Sequence, residues 1–271
     1  MRDAIGIFDS GIGGLTVLRE LHKALPEETT IYLGDTARVP YGTRSPETVV
    51  RYSVQAARFL AEKRIKLLVV ACNTASALAL EPVRAACPGS SIRVVGVIEP
   101  GVREALRNTR TGRIGVIGTE ATIKSNAYTI ALKSREPEIQ VFTKACPLFV
   151  PLAEEGWEDS EIATLTAERY LSGFRELGVD TLILGCTHYP MLKGVIARTL
   201  GAEIRLVDSA EAMAVMVCDL LKEQGLSMPV SADDDRGPAH HYYVTDAHER
   251  FVKVGSRFLG RDMAGVISVE L

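Results

Sequence analysis

Two cysteines stand at positions where a thiol could act as an acid or a base. Cys72 ends the apolar run Leu67–Ala71, and Cys186 comes just after Thr181–Leu184. Each run is typical of a β-strand, and the residues that follow are typical of a helix start. A helix N-terminus lowers the pKa of a thiol and can hold a carboxylate. These positions predict reactive thiols beside a carboxylate-binding site; the alternative is that both are inert core residues.

The glycine-rich segment Asp9-Ser10-Gly11-Ile12-Gly13-Gly14 is the second candidate. A strand that leads into a glycine loop and a helix can bind a nucleotide, and Asp35 follows where a ribose-binding acid would lie. However, Thr16 stands in place of the third glycine of that fingerprint, and the Asp9 carboxylate would repel a pyrophosphate. The segment is therefore only a weak match to a nucleotide site.

Other polar residues could assist the thiols. His188 lies two residues after Cys186, where an imidazole can tune a thiol or act as a general acid. Tyr41 and Gly42 form a turn that offers a hydroxyl and an open backbone, for which an ordinary surface turn is the alternative. The remaining cysteines are interpreted as packing residues: Cys87, Cys146 and Cys218. Three histidines are interpreted as solvated: His22, His240 and His241.

Short β-branched runs alternate with helical periods, which favours an α/β fold with a mostly parallel sheet. The predicted strands are Ala4–Phe8, Thr30–Leu33, Leu67–Ala71, Arg93–Ile98, Arg113–Ile117, Thr181–Leu184 and Ile204–Val207. A helix is predicted to begin with Ser45 as N-cap and Pro46 in its first turn. Its predicted apolar face comprises Val50, Val54, Ala57 and Ala61. Residues 231–241 are interpreted as a charged surface loop, and the tail from Tyr242 as a further strand and helix.

The chain also repeats part of itself at low identity. The similar pairs of segments are 5–10 with 114–119, 68–74 with 182–188, and 95–99 with 205–209. They occur in the same order in both halves, which indicates an internal duplication. Two similar α/β halves would direct the carboxyl ends of their strands toward a shared crevice. Cys72 and Cys186 would then face each other across it.

Charge and composition argue against a nucleic-acid-binding, membrane-spanning or disulfide-rich protein. The 271 residues carry a net charge of −3 and no basic stripe, so nucleic acid is not an expected partner. The longest apolar run is far shorter than the roughly 20 residues that span a bilayer. The N-terminus lacks the layout of a signal peptide, and the five cysteines do not suggest a disulfide framework. A cytoplasmic protein of two domains is expected.

Five segments together resemble glutamate racemase, within the aspartate/glutamate racemase superfamily. They are GIFDSGIGGLTV, YLGDTARVPYG, ACNTAS around Cys72, PLFVPLAEEG, and LGCTHYP around Cys186. The resemblance covers nearly the whole chain. It implies two α/β halves with mostly parallel sheets, related by a pseudo-twofold axis, with the active site in the cleft between them. The implied domains are residues 1–97 plus 209–271 and residues 98–208.

The resemblance also implies a function, the interconversion of L- and D-glutamate without a metal or organic cofactor, which supplies D-glutamate for peptidoglycan. By motif match, Cys72 takes the α-proton of D-glutamate and Cys186 that of L-glutamate. The implied assisting acids and bases are Asp9, Glu154 and His188, with Glu154 preferred over its neighbour Glu155. The implied substrate-binding residues are Asp9, Ser10, Tyr41, Gly42, Asn73, Thr74, Thr187 and His188. A small-molecule substrate is the expected partner, and a homodimer is compatible with this interpretation.

Two other functions fit part of the pattern. A cysteine hydrolase would use one cysteine as nucleophile and His188 as base, and would form a covalent acyl intermediate. A protein that only binds an amino acid in the crevice would need neither thiol. A requirement for both Cys72 and Cys186 therefore separates a racemase from either alternative.

Overall fold

The structure, a computed structural model, describes residues 3–87, 92–226 and 239–271. Its strands form two sheets, and all recorded strand pairs in these residues are parallel. The strands are β1 (Ala4–Asp9), β2 (Thr30–Gly34), β3 (Ile65–Val70), β4 (Arg93–Gly96), β5 (Arg113–Gly118), β6 (Gln140–Ala145), β7 (Thr181–Gly185), β8 (Arg205–Asp208), β9 (His240–Val244) and β10 (Val266–Ser268).

The two sheets share one strand order. The first runs β10-β9-β2-β1-β3-β4 and the second β6-β5-β7-β8, so β2-β1-β3-β4 recurs as β6-β5-β7-β8. The three similar sequence pairs fall on the equivalent strands β1 and β5, β3 and β7, and β4 and β8. This repetition confirms the predicted α/β fold of two similar halves. It also places Cys72 and Cys186 after equivalent strands, β3 and β7.

Helices connect the strands and pack on the sheets. They are α1 (Leu15–Ala24), α2 (Pro46–Ala61), α3 (Asn73–Leu78), α4 (Leu80–Ala86), α5 (Ile98–Asn108), α6 (Glu120–Lys124), α7 (Ala127–Arg135), α8 (Phe149–Glu155), α9 (Glu161–Leu171), α10 (Gly173–Glu176), α11 (Lys193–Leu200), α12 (Ser209–Glu223) and α13 (His248–Leu259). Short 3₁₀ turns occupy Thr36–Arg38, Tyr41–Thr43 and Tyr189–Leu192. No helix in the described ranges is long and apolar enough to cross a membrane.

An apolar core continues from one half into the other. α12 follows the last strand of the second sheet, yet it packs against α1 of the first half as well as α5. One buried cluster includes Leu18 of α1, Val217 of α12, Phe258 of α13 and Leu184 of β7. Because this cluster spans both halves, it holds the carboxyl ends of the two sheets around one cleft.

Several predicted elements are corrected by the structure. Strand β4 ends at Gly96 rather than Ile98, because Ile98 already opens α5. Strand β6 was not predicted; it is an edge strand with half-exposed side chains, so it lacks a continuous apolar run. Helix α2 begins as predicted, with Ser45 as N-cap, but its buried face is shifted by one residue: Val49, Ser53, Ala56, Ala57 and Leu60.

The interpretation of His22 and His240 as solvated histidines is wrong, because both rings are partly buried against each other. Residues 231–238 of the predicted loop lie outside the described residues, whereas His240 and His241 belong to β9. The rings of His22 and His240 lie 4.1 Å apart, and both bond the hydroxyl of Thr30, at 3.0 and 2.9 Å. Arg261 donates to Nδ1 of His22 at 3.0 Å. Burial, reinforced by neighbouring cations, lowers the pKa of His22 to about 3 and that of His240 to about 4.

This histidine pair predicts a stability that falls as the pH falls. Both rings stay neutral in the folded protein, whereas the unfolded chain takes up protons below a pH of about 6.5. The stabilising effect is therefore complete above about pH 6.5 and is lost as the pH drops toward the folded pKa values. We expect the free energy of unfolding in urea to fall by about 1–2 kcal/mol between pH 7 and pH 5, since solvent screens half-exposed rings. The variant His22→Gln should flatten this slope; identical slopes in the two proteins would contradict the assignment.

Candidate active site

A cavity of about 220 Å³ lies between the two halves. The residues that follow β1, β3, β5 and β7 all reach it, so the carboxyl ends of equivalent strands meet there. Ten of the eleven predicted site residues line it: Ser10, Tyr41, Gly42, Cys72, Asn73, Thr74, Glu154, Cys186, Thr187 and His188. The eleventh, Asp9, is fully buried at the end of β1, directly behind Ser10.

Cys72 is the N-cap of α3 and is almost fully buried. Its thiol donates to Oγ of Ser10 at 3.5 Å, and its sulfur accepts the N–H of Ala75 at 3.5 Å. Burial raises the pKa of Cys72 to about 12, and the nearby carboxyl of Asp9 adds to the rise. The expected lowering by a helix N-terminus is therefore outweighed by desolvation, since α3 has only six residues. Cys72 is a thiol at neutral pH.

Asp9 places a buried carboxyl next to Cys72. Its Oδ2 accepts the N–H of Gly11 at 2.9 Å, and the hydroxyl of Thr187 donates to Oδ1 at 3.5 Å. Burial raises the pKa of Asp9, while the positive charge of His188 and the backbone N–H groups oppose that rise. A carboxyl shifted in this direction can hold a proton nearer to neutral pH, as an acid–base group requires.

Cys186 has a different set of partners. Its sulfur lies 3.8 Å from Nδ1 of His188, and Nε2 of that ring lies 3.0 Å from Oε1 of Glu154. Burial lowers the pKa of His188, but the hydrogen bonds to Cys186 and Glu154 override it and raise that pKa to about 10. His188 is therefore an imidazolium at neutral pH, and it places a positive charge beside the sulfur of Cys186. The carboxylate that contacts the ring is that of Glu154.

Tyr41 and Gly42 form one wall of the cavity, but not through the tyrosine hydroxyl. That hydroxyl donates to Oδ2 of buried Asp35 at 2.5 Å, and Nε of Arg38 donates to the same oxygen at 2.7 Å. Asp35 is thus an internal anchor of this corner rather than a ribose-binding acid. A Cβ on Gly42 would lie 2.7 Å from Cβ of Thr119, so only glycine allows the two halves to approach this closely. The corner can offer a ligand its backbone N–H groups.

Asn73 is held by a chain of hydrogen bonds from the second half. Its Nδ2 donates to the hydroxyl of Tyr128 at 2.8 Å, which lies 3.3 Å from Oγ of Ser209. Ser209 in turn donates to the carbonyl oxygen of Leu184 at 3.1 Å. Because a carbonyl oxygen can only accept, the direction of every bond in the chain is determined. The amide of Asn73 therefore has one orientation: Nδ2 faces Tyr128, and Oδ1 has no hydrogen-bond partner among the described residues.

Replacing Tyr128 with phenylalanine is predicted to lower kcat about tenfold with a small loss of stability. The change removes the acceptor that orients Asn73 and costs about 1 kcal/mol of hydrogen bonding. Steady-state kinetics would show the loss, and thermal unfolding would show the fold intact. The matched variant Tyr170→Phe removes a half-buried hydroxyl that bonds only the N–H of Leu148 in the described structure, and should leave kcat unchanged. Equal kinetics in wild type and Tyr128→Phe would contradict this role.

Sequence reasoning missed three residues that the structure adds to the site. Thr119 lies 2.9 Å from the hydroxyl of Thr74, and the internal repeat could have found it, because it aligns with Ser10. Tyr128 reaches Asn73 from α7, and Arg250 reaches Glu154 from α13. Neither carries a local signal, since both act through contacts far away in the sequence.

Comparisons with known proteins agree with this geometry. The family model described as Asp/Glu/Hydantoin racemase matches residues 5–217. A glutamate racemase of Geobacter metallireducens is 61% identical over 99% of this chain and 97% of its own length. A glutamate racemase of Francisella tularensis, solved in complex with D-glutamate, has a TM-score of 0.90 at 39% identity and covers 99% of this chain and 98% of its own. One from Bacillus anthracis has a TM-score of 0.92 at 39% identity with the same coverage.

The protein has two equivalent parallel sheets, and a thiol follows the same strand of each. Both thiols line one cavity between the sheets. These features define an amino-acid racemase of the two-sheet α/β class. Such an enzyme is an isomerase. The chain belongs to the Asp/Glu/Hydantoin racemase family and, within it, to the glutamate racemases.

Proposed function

We propose that the protein interconverts L- and D-glutamate by passing protons between the α-carbon and the thiols of Cys72 and Cys186. The main support is that both thiols follow equivalent strands and line one cavity, each with its own acid–base partner. Inversion needs one group to remove the α-proton from one face and another to deliver a proton to the opposite face. Two groups placed in advance avoid moving a single base around the substrate.

The protonated thiol of Cys72 suits a reaction that starts from L-glutamate. In the proposed step Cys186, beside the His188 imidazolium, takes the α-proton as a thiolate, and the Cys72 thiol gives its proton to the other face. The C–H bond breaks on one side as a new C–H bond forms on the other, and the thiolate ends on Cys72. Action on D-glutamate runs the same steps in reverse and starts from a Cys72 thiolate. Asp9, whose carboxyl acts electrostatically on Cys72, is the proposed acceptor of the Cys72 proton.

The carbanion-like transition state needs donors that are in place beforehand. The α-proton of an ionised amino acid is very weakly acidic, so hydrogen bonds to the carboxylate must absorb the developing charge. Asn73 and Thr74 carry groups at the cavity wall that can serve as such donors. The Francisella tularensis relative was solved with D-glutamate, which supports the same ligand here. The backbone at Tyr41 and Gly42 is the proposed contact for the second carboxylate.

Incubation with each enantiomer in D₂O tests this proposal. Protein treated with EDTA and freed of small molecules should invert L- and D-glutamate, with one solvent deuteron at the α-carbon of each inverted molecule. Chiral chromatography and mass spectrometry would follow both changes. Inversion that requires added pyridoxal phosphate or metal, or that occurs without α-deuteration, would contradict the mechanism. Accumulation of a covalent acyl-enzyme would instead favour the cysteine hydrolase.

The proposal also covers the domain boundaries, the cellular role and the oligomeric state of the protein. The strands of the first sheet come from residues 4–96 and 240–268 and those of the second from residues 113–208, which supports domains of 1–97 plus 209–271 and of 98–208. We propose a cytoplasmic enzyme that supplies D-glutamate for peptidoglycan. Exposed apolar side chains on and beside α9 support a homodimer: Leu148, Trp157, Ile162 and Leu165.

A further inference from the structure

Helix α13 reaches across the molecule and contacts the helix that carries Glu154. α13 packs against α1 and β10, so it belongs with the first sheet, whereas α8 follows the edge strand of the second. Arg250, in the first turn of α13, contacts Oε2 of Glu154 and Oε1 of Glu155, both at 3.1 Å. Arg257, about two turns further along, donates to the carbonyl oxygen of Ala153 at 2.6 Å. Two arginines of one half therefore hold the end of α8 in the other.

The two oxygens of Glu154 have separate tasks. Oε1 lies 3.0 Å from Nε2 of His188, and Oε2 receives Arg250. Burial alone would raise the pKa of Glu154, but His188 and Arg250 together lower it. The carboxylate is thus charged and fixed in direction by a cation on its outer side, with the imidazole on its inner side. Arg250 is half-exposed and is not a wall residue of the cavity.

The Cys72 side of the site is built differently. Asp9 is fully buried, and the bonds recorded for its carboxyl in the described residues come from Gly11, Gly14 and Thr187 rather than from an arginine or a lysine. An electrostatic contribution from Arg250 therefore reaches Cys186 through Glu154 and His188, whereas it reaches Cys72 only through one further group, Asp9, on which His188 also acts. This asymmetry distinguishes a specific effect on Cys186 from a general effect on folding.

We propose that Arg250 is a positioning residue for the Cys186 half of the reaction, holding the Glu154 carboxylate against His188 so that the imidazolium stays beside the thiol. This inference rests on the proposed two-thiol function. Arg250 touches neither substrate nor thiol; it acts through two residues. A helix of the first half thereby fixes the position of the charged ring that lies beside a thiol of the second. One nitrogen of the guanidinium, Nη2, bonds both Glu154 and Glu155.

Isolated half-reactions test the proposal. In Cys72→Ala protein, Cys186 alone exchanges the α-proton of L-glutamate with D₂O; in Cys186→Ala protein, Cys72 alone exchanges that of D-glutamate. Adding Arg250→Ala should slow the first exchange roughly 3- to 10-fold, the range for one partly exposed ion pair acting at a distance, and slow the second clearly less, because His188 reaches Cys72 only through Asp9. Arg250→Lys should restore part of the lost exchange rate, because lysine keeps the positive charge but lacks the rigid, planar guanidinium.

Controls separate this outcome from the alternatives. Lys253→Ala removes an exposed cation from the same helix and should leave both exchange rates and the thermal midpoint unchanged. Equal slowing of both half-reactions by Arg250→Ala, or no slowing of either, would overturn the positioning role. Failure of both single-cysteine proteins to exchange any α-proton would instead refute the two-thiol function on which the proposal rests. Thermal unfolding of each variant shows whether a rate change reflects loss of the fold.

Discussion

Replacing Cys72 with alanine is expected to abolish racemisation while leaving one half of the reaction intact. The overall rate should fall at least about 10³-fold, since a positioned acid–base group contributes roughly 10²–10⁴-fold and inversion cannot finish without the second thiol. Cys186 remains and can still take and return the α-proton of L-glutamate. In D₂O the variant should therefore give deuterated L-glutamate of unchanged configuration. Chiral analysis with mass detection measures both quantities in one sample.

Cys186→Ala tests the other half of the reaction, and each single-cysteine variant serves as the control for the other. It should exchange the α-proton of D-glutamate, with a similar loss of racemisation. Both variants remove the same number of atoms from nearly buried positions, so differences in stability between them should be small. Racemisation within tenfold of wild type in either variant, or exchange of both enantiomers by both variants, would be incompatible with one thiol for each face.

The second large effect is expected from Gly13→Ala, a change that adds a single methyl group. A Cβ at this position would overlap Oγ1 of Thr187 and would lie 2.5 Å from Nδ1 and 2.6 Å from Cε1 of His188. The glycine loop is also tied to this segment, because the hydroxyl of Thr16 donates to the carbonyl oxygen of Thr187 at 2.9 Å. The methyl group must therefore displace the imidazole that faces Cys186. We expect kcat/KM to fall about 10²-fold, the cost of a displacement of roughly 1 Å at a reacting group.

Gly173→Ala is the matched control for that prediction. Gly173 opens α10, and a Cβ there would meet nothing within 4 Å. This variant should keep wild-type kinetics, whereas Gly13→Ala should also lose about 1–3 kcal/mol of stability through overpacking. Activity must be compared well below the thermal midpoint of Gly13→Ala so that unfolding does not contribute. Kinetics of Gly13→Ala within twofold of wild type would show that His188 need not occupy the observed position.

The parts of the fold that the sequence predicts are those where local pattern and tertiary burial agree. β1, β3, β5 and β7 are buried on both faces, so their apolar runs are continuous and visible in the sequence. β6 lies at a sheet edge with Gln140 and Lys144 exposed, and its composition does not separate it from a loop. His240 was placed in a loop because its neighbours are polar. Its half-buried position follows from packing against His22, which no local pattern shows.

Some features of the site can likewise be predicted from local sequence, and others cannot. Cys72 and Cys186 could be identified because strand, small residue and helix start follow one another in the chain, and because the repeat presents that order twice. Their acid–base states could not be predicted. Desolvation raises the pKa of Cys72 against the helix N-terminus, whereas His188 supplies a charge beside Cys186 that depends on Glu154. Contacts that join distant segments decide such balances.

A crystal structure of the wild-type protein with D-glutamate bound tests the central claim most directly. We expect the substrate in the cavity between the halves, with the sulfurs of Cys72 and Cys186 on opposite faces of the α-carbon. Each sulfur should lie roughly 3–3.5 Å from that carbon, the separation of groups ready to react. Both sulfurs on one face, or either sulfur beyond reach of the α-carbon, would contradict it.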